Sequence, residues 1–275
     1  MATRTNSYKA TKLVLAVLTT ALLLAQPARP VELTSLSGLA HGYPAFRDAN
    51  GKMLAEGEFM QWVQDDRLHV KLTYKFKNGE RIEENAVFQQ QPELVQQEWS
   101  WRESKGGQII REFGVNFASK TAKAQKREKN ELKQWEETIA VEPGKSFAGF
   151  GFTLALQNLR KRLLNGERIE LKAVGFRPQP QVVTVQLSHA GVDRMEMSGR
   201  SLKGDHFVIH PELPAIAKLF VRVPDTHVWL TNPAPAGFLR WEGPVAEPND
   251  QIVRVDLLSG EGSGLAQPMK DNDFQ

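Results

Sequence analysis

The sequence predicts a mainly β protein: one large curved antiparallel sheet, or an unclosed β-barrel, with one apolar helix packed in it or on it. Three observations predict this fold. Residues 68–77 alternate apolar and polar side chains without a break, which is typical of a strand with one buried face. Asn78-Gly79 follows, and this pair favours a tight hairpin turn because both positions accept positive φ angles. Residues 146–165 then show helical spacing of apolar side chains.

Residues 1–25 are typical of a signal peptide. Arg4, Lys9 and Lys12 precede an uncharged run over residues 13–25, which is about as long as a signal-peptide core and too short to cross a bilayer as a helix. An uncut membrane anchor is the alternative interpretation. We therefore expect an exported protein, periplasmic or extracellular.

The charge of the chain gives no reason to expect a nucleic-acid partner. The whole chain has 35 Lys+Arg and 32 Asp+Glu, and residues 1–25 hold three of the basic residues and no acidic one. The remainder therefore has 32 of each (35 − 3 = 32 basic), so that the mature protein is close to neutral. The chain has no cysteine, which excludes a disulfide framework and thiolate chemistry.

The chain after the leader is expected to form a single domain. Residues 26–50 are predicted to be an extended lead-in, because Pro27, Pro30 and Pro44 interrupt regular structure, with at most a short edge strand over 39–46. Residues 51–258 are predicted to form one antiparallel β domain. Its first part, residues 53–117, contains five alternating or apolar runs joined by short turns, which predicts a meander whose neighbours in sequence are neighbours in space.

Residues 119–133 interrupt this pattern with six lysines and arginines. They could contact an anionic partner such as lipid headgroups, but a solvated loop or short helix between strands is the favoured interpretation.

The helix predicted over residues 146–165 would be capped by Ser146 and ended by Asn165-Gly166. Its first half is apolar nearly all round, so it must be buried inside the curved sheet or against it. Strands are expected to resume over residues 169–187, with weaker strands at 194–202 and 207–210, a short helix at 211–219 and further strands up to residue 258. Residues 259–275 are predicted to be a disordered tail.

No motif specifies a catalytic residue, a metal or a cofactor, and none is predicted. Gly144-Lys145-Ser146 resembles a phosphate-binding loop, but the required upstream glycine is Ile139. His206 and His210 share a face of a predicted strand, where residues four apart are separated by roughly 13 Å. The glycines of Gly149-Phe150-Gly151 are expected to let bulky neighbours pack closely.

Glu84 is the one unusual charged residue in the predicted sheet. It falls on the same face as Ile82, Ala86 and Phe88. It could be an inward polar group that faces a ligand, or a charge at a strand end or register irregularity.

Aromatic residues give the strongest functional indication. All six tryptophans fall in predicted strands, and they could line an apolar cavity or fill an ordinary core. A large curled sheet encloses space that side chains alone do not always fill. The candidate ligand-binding residues are Val70, Leu72, Tyr74, Phe76, Trp99, Trp101, Phe113, Phe117, Phe150 and Phe152.

The order of these elements resembles a known architecture. A signal peptide, a long meander, an apolar helix and further strands are similar to the unclosed β-barrel of lipoprotein carriers (LolA/LolB-like) and of uncharacterised bacterial envelope proteins. The segments that carry the resemblance are residues 74–80, 229–233 and 238–244. The resemblance implies the fold and a lipid cargo, and it transfers no functional residue.

Three hypotheses for the function follow. The leading hypothesis is an exported, non-enzymatic protein that binds a lipid or another apolar ligand in the concavity of the sheet. The second is a structural or protein-interaction module of the cell envelope with a filled core. The third and least favoured is an envelope-active hydrolase, because no acidic or histidine side chains converge in the sequence pattern.

Overall fold

A computed structural model describes residues 29–129, 131–197, 199–212 and 223–257. They contain sixteen strands and one helix. The strands of the first half are β1 Ala40–Gly42, β2 Ala45–Asp48, β3 Met53–Gln64, β4 Arg67–Phe76, β5 Glu80–Gln89, β6 Val95–Lys105, β7 Gln108–Asn116, β8 Thr121–Glu128 and β9 Glu131–Thr138. The rest are β10 Ser146–Phe147, helix α1 Gly151–Leu164, β11 Ile169–Phe176, β12 Pro180–Met197, β13 Arg200–Pro211, β14 Thr226–Asn232, β15 Phe238–Pro244 and β16 Ile252–Asp256.

All sixteen strands belong to one sheet, which does not close on itself. Its order is β10-β11-β12-β13-β14-β15-β16-β2-β3-β4-β5-β6-β7-β8-β9, and β1 pairs with β3 beside this path. Every ladder is antiparallel except that between β10 and β11, which is parallel. The predicted fold class is therefore confirmed, with this one parallel pair as an exception to the predicted antiparallel order.

The predicted meander is confirmed as β3 to β7. The alternation over residues 67–76 puts Leu68, Val70 and Tyr74 in the core, with at most 3% of each exposed. The hairpin turn lies at the predicted place, but only Gly79, with a φ angle of 81°, is left-handed; the expected positive φ at Asn78 is not observed. Local alternation and turn chemistry were sufficient here because each strand pairs with its neighbour in sequence.

The expectation that residues 26–50 are only a lead-in is wrong. Strand β2 lies inside the sheet, paired with β16 on one side and with β3 on the other. It therefore joins the first and last parts of the chain. This strand was not predictable because it has only four residues, between Pro44 and the turn at residues 49–51, and so short a segment shows no clear alternation.

The predicted helix over 146–165 begins five residues too early, since α1 starts at Gly151 and ends at Leu164. Ser146 is not its cap. The Ser146 hydroxyl accepts the backbone N–H of Glu142 at 2.8 Å, and Ser146 pairs with Lys172 in β10. The expected burial is confirmed, because the first half of α1 is buried on all sides.

Polar contacts hold α1 against distant parts of the chain. Asn158 accepts the backbone N–H groups of Thr34 and Ser35 at 2.8 and 3.1 Å. Arg160 donates to Asp205, which is fully buried, at 2.7 Å. The helix thus packs inside the curve of the sheet and contributes to a single core with strands from both halves. The largest fully buried aromatic side chains are Phe88, Phe113, Phe147 and Phe207.

Two smaller expectations are wrong. Residues 119–133 are not a loop or helix but form β8 and the start of β9, where Lys123 pairs with Glu136 and Lys126 with Glu247. Residues 194–202 are the end of the β12–β13 hairpin rather than a separate strand.

The predicted signal peptide and the predicted tail lie outside the described residues. The predicted helix at 211–219 does too, apart from residues 211 and 212.

Candidate functional site

A cavity of about 470 Å³ lies between the concave face of the sheet and the N-terminal end of α1. Its lining is mainly apolar. Among the described residues it contains no lysine or arginine, and its titratable side chains are His41, Tyr74 and Glu84.

Six of the ten predicted ligand-binding residues line this cavity. They are Leu72, Tyr74, Trp99, Trp101, Phe150 and Phe152. The other four are elsewhere. Val70, Phe113 and Phe117 are core residues, and Phe76 packs against the same core, so none of these four contributes to the lining. Predicted residues of β4, of β6 and of the start of α1 therefore lie around one cavity. The remaining predicted residues are packed in the core and do not reach it.

The sequence did not reveal the lining residues that come from the ends of the chain. They include Phe46, Phe238, Val245 and Val255. Because β2 lies between β16 and β3, residues almost 200 positions apart face the same space. The only local signal for Phe46 was the apolar pair Ala45-Phe46 before a charged residue, which is too short to be specific.

Phe150 contacts two other phenylalanines of the cavity lining. The Phe150 ring lies 5.2 Å from that of Phe59 on β3 and 6.3 Å from that of Phe238 on β15, measured between ring centroids. Phe150 precedes α1 directly, so the start of the helix is held in an aromatic contact between two strands. Such edge and tilted contacts add to the stabilisation from burial alone.

Glu84 places a carboxyl group in this apolar lining. It lies on β5, in register with Leu72 on β4 and Trp101 on β6, both of which also line the cavity. Its Oε1 accepts the indole N–H of Trp99 at 2.8 Å and the backbone N–H of Phe150 at 2.7 Å. The second bond satisfies a free N–H at the N-terminus of α1, where a carboxylate is favourable. Glu84 thus holds the residue directly before α1, while the first N–H groups of the helix itself bond to the backbone carbonyls of residues 148–150.

Burial raises the pKa of Glu84 above its usual value, and the hydrogen bonds from Trp99 and Phe150 counteract this only in part. Burial also raises the pKa of Tyr74 well above its usual value, and the Glu84 charge adds to the effect. The Tyr74 hydroxyl has no hydrogen-bond partner among the described residues. Protein surrounds Glu84, yet its side chain stays partly accessible, because it borders the cavity.

Two glycines make this arrangement possible. Gly149 has a φ angle of 49°, and a Cβ there would overlap the Glu84 carboxylate and the Trp99 indole nitrogen. A Cβ at Gly151 would come within 2.5 Å of Gln96 Oε1. The prediction that these glycines permit close packing is confirmed. Their role was visible in the sequence, but their partners were not.

The histidines do not converge on the cavity. His206 and His227 share a hydrogen bond of 2.9 Å, and His210 contacts Asp225 at 2.7 Å. The described residues contain no group of three or more histidine, cysteine or acidic side chains suited to a metal ion.

No protein-family model matches the chain, and no curated protein matches it. Several solved structures are similar, including the following two. One is a β-barrel-like protein of the domain of unknown function DUF1849 from Brucella abortus, with a TM-score of 0.44 and 6% identity over 80% of this chain and 95% of that one. The other is the hypothetical lipoprotein YmcC from Escherichia coli K12, with a TM-score of 0.34 and 9% identity over 82% of this chain and 86% of that one.

At such scores and identities these likenesses carry no functional argument. Neither protein is described as a lipoprotein carrier, so the resemblance to that class stays a prediction. Within the described ranges, no helix is long and apolar enough to cross a bilayer.

Proposed function

We propose that this is an exported, non-enzymatic β protein that binds a lipid or another apolar ligand between the curved sheet and the start of α1. The observation that carries the proposal is the cavity of about 470 Å³ with its mainly apolar lining. Ligand pockets of proteins typically measure about 300–1,000 Å³ and are lined by apolar and aromatic side chains with a few polar groups. Export rests on the leader-like residues 1–25.

The side chains in the cavity support binding rather than catalysis. His41 contacts Glu58 at 3.2 Å, and Glu84 Oε1 already accepts two N–H groups of the fold. Among the described residues of the lining, no hydroxyl or carboxylate is hydrogen-bonded to a histidine as a nucleophile and its base would be. An apolar lining with one carboxyl group is suited to holding a ligand in place.

The test uses N-phenyl-1-naphthylamine, an uncharged apolar fluorophore, with the purified mature protein. We expect saturable binding with one site per chain. Leu72→Trp should weaken binding at least tenfold, because Leu72 lines the cavity and is only partly buried, so the larger ring enters the ligand space.

Leu132→Trp is the matched control, since Leu132 is 40% exposed on β9 and does not line the cavity. It should leave binding unchanged. A folded protein that binds no fluorophore and yields no extractable lipid by mass spectrometry would contradict the proposal.

A second candidate is a protein-interaction module of the envelope. Exposed apolar side chains beside the cavity favour it: Leu36 is 62% exposed and Leu39 is 83% exposed, while neighbouring Ser37 and Ala40 line the cavity. A photo-crosslinking amino acid at position 39 should then capture one specific envelope protein in cells. The same residue at position 192, where Val192 is 51% exposed on β12, should not.

A further inference from the structure

We propose that the cavity selects apolar ligands whose head group donates a hydrogen bond, an alcohol or an ammonium group, and that Glu84 Oε2 is the acceptor. The inference rests on the proposed function and deepens it by naming the ligand class. The single carboxyl group of a mainly apolar lining is its starting point.

The two oxygens of Glu84 have different surroundings. Oε1 accepts the N–H groups of Trp99 and Phe150 and thereby fixes the start of α1. Among the described residues, Oε2 accepts no hydrogen bond, although Glu84 borders the cavity and stays partly accessible. The structural role of this residue is therefore complete with one oxygen, and the other is free for a ligand.

The chemistry of the site favours a donor over other head groups. An acceptor that loses water without gaining a partner is destabilised, and a donor head group avoids this loss. An ester can accept a hydrogen bond, for instance from the Tyr74 hydroxyl, but it has no donor for Oε2 and leaves that oxygen without a partner. A fatty-acid carboxylate adds a like charge to the ionised form of Glu84, and the lining holds no lysine or arginine to neutralise it. A chain that ends in an alcohol or an ammonium group satisfies both the apolar lining and Oε2.

The experiment compares four ligands with the same chain: dodecan-1-ol, dodecylamine, methyl dodecanoate and dodecanoate. Each displaces N-phenyl-1-naphthylamine from the mature protein at neutral pH, below its micelle concentration. We expect the alcohol, the amine or both to bind at least tenfold tighter than the ester and the carboxylate. The ratio of alcohol to amine then shows whether the natural head group is neutral or cationic.

Glu84→Gln tests the assignment directly. The amide oxygen can still accept from Trp99 and Phe150, so the fold should persist, whereas the amide nitrogen replaces Oε2 with a donor. The preference should therefore shift toward methyl dodecanoate by tenfold or more. Glu83→Gln removes a charge one residue away, where Glu83 pairs with Arg81 at 2.7 Å outside the cavity lining, and should leave the preference unchanged.

The outcomes separate the two proposals. If all four ligands bind equally and Glu84→Gln changes nothing, the donor preference is overturned and the apolar-binding function stands. If neither the fluorophore nor any of the four ligands binds the folded wild-type protein, the proposed function fails and the preference fails with it. An unchanged near-ultraviolet circular dichroism spectrum of the glutamine variant would show that any shift in preference reflects the site and not a change of fold.

Discussion

Gly149 shows how a single position determines the geometry of the cavity. Its positive φ angle is accessible to few other residues, and its missing side chain leaves room for the bond between Glu84 and Trp99. The turn before α1 can therefore approach β5 and β6 closely enough for the Phe150 N–H to reach the same carboxylate oxygen.

Gly149→Ala should destabilise the protein by about 3 kcal/mol, because the new methyl group overlaps two side chains and displaces a buried hydrogen bond. Urea denaturation measures the effect. Gly175→Ala is the matched control within the same lining, since a Cβ there meets no atom within 4 Å. It should change the stability by no more than about 0.5 kcal/mol. Equal effects of the two substitutions would contradict this account of Gly149.

The Glu84 carboxyl group should make stability depend on pH with a defined sign. Its pKa is raised in the folded state, so the folded protein holds this proton more tightly than the unfolded chain. The resulting stabilisation is present below the ordinary value of 4.5 and is lost as pH rises through the raised pKa. The free energy of unfolding of the wild-type protein should therefore fall relative to that of Glu84→Gln as pH rises above 4.5.

Glu142 should make the free energy of unfolding depend on pH in the opposite direction, because its pKa is lowered in the folded state. Hydrogen bonds from Lys172 and Lys145 lower its pKa from 4.5 to about 2. Its contribution is present above 4.5 and lost as pH falls toward about 2. Solvent screening reduces its size, since the side chain is 45% exposed. The stability of Glu142→Gln should therefore approach that of the wild type in acid. If the stability difference between wild type and variant changed with pH in the same direction for Glu84→Gln and Glu142→Gln, the sign given for Glu84 would be refuted.

Residues 148–150, directly before α1, orient the helix, which has no side-chain cap of its own. Gln96 is almost completely buried on β6; its Oε1 accepts the Ala148 N–H at 2.8 Å and its Nε2 donates to the Ala148 carbonyl at 3.1 Å. One side chain thus satisfies both backbone groups of a buried residue. Together with Glu84, it fixes residues 148–150 to the inner face of the sheet.

Gln96→Leu should cost about 2–3 kcal/mol, because the buried Ala148 N–H loses its partner and the Ala148 carbonyl keeps only the N–H of Gly151, while the side-chain volume stays similar. Gln97→Leu on the same strand is the control, as the Gln97 amide makes only a long contact of 3.5 Å with Gln89. Chemical denaturation of both variants gives the comparison. A small effect of Gln96→Leu would show that the segment is held by its apolar contacts alone.

The same elements show what the sequence could reveal. Strands β3 to β7 were predictable because their alternation and turns are local. The start of α1 was not, since Ser146 has the chemistry of a cap but uses its hydroxyl in the preceding turn. Six of the ten predicted site residues line the cavity because they share the inner face, while Phe46 and Phe238 depended on a sheet order that no local pattern specifies.

At the scale of the whole molecule, β2 connects the two halves of the sheet. Phe46 on this strand is 5% exposed, and its ring lies 5.0 Å from that of Tyr74 and 5.3 Å from that of Phe76. The short strand therefore bridges the ladders of β16 and β3 and also fills part of the common core.

Phe46→Ala should destabilise the protein by about 3–5 kcal/mol, the range typical of removing a buried aromatic ring. Both halves should unfold in one transition, because one core spans them. Tyr43→Ala, at a position 46% exposed just before β2, should stay within about 0.5 kcal/mol of the wild type. Tryptophan fluorescence and far-ultraviolet circular dichroism test this, and two separate transitions would contradict a shared core.

The sheet ends at β9 on one side and at the two-residue strand β10 on the other, and within the described part of the chain no ladder joins them. Parting β5 from β6 would break a ladder of ten residue pairs, whereas parting β9 from β10 breaks none. Separating β9 from β10 therefore breaks fewer backbone hydrogen bonds than separating any two paired strands. If the proposed function holds, a ligand larger than the cavity would enter between β9 and β10, because no pair of hydrogen-bonded strands has to separate there.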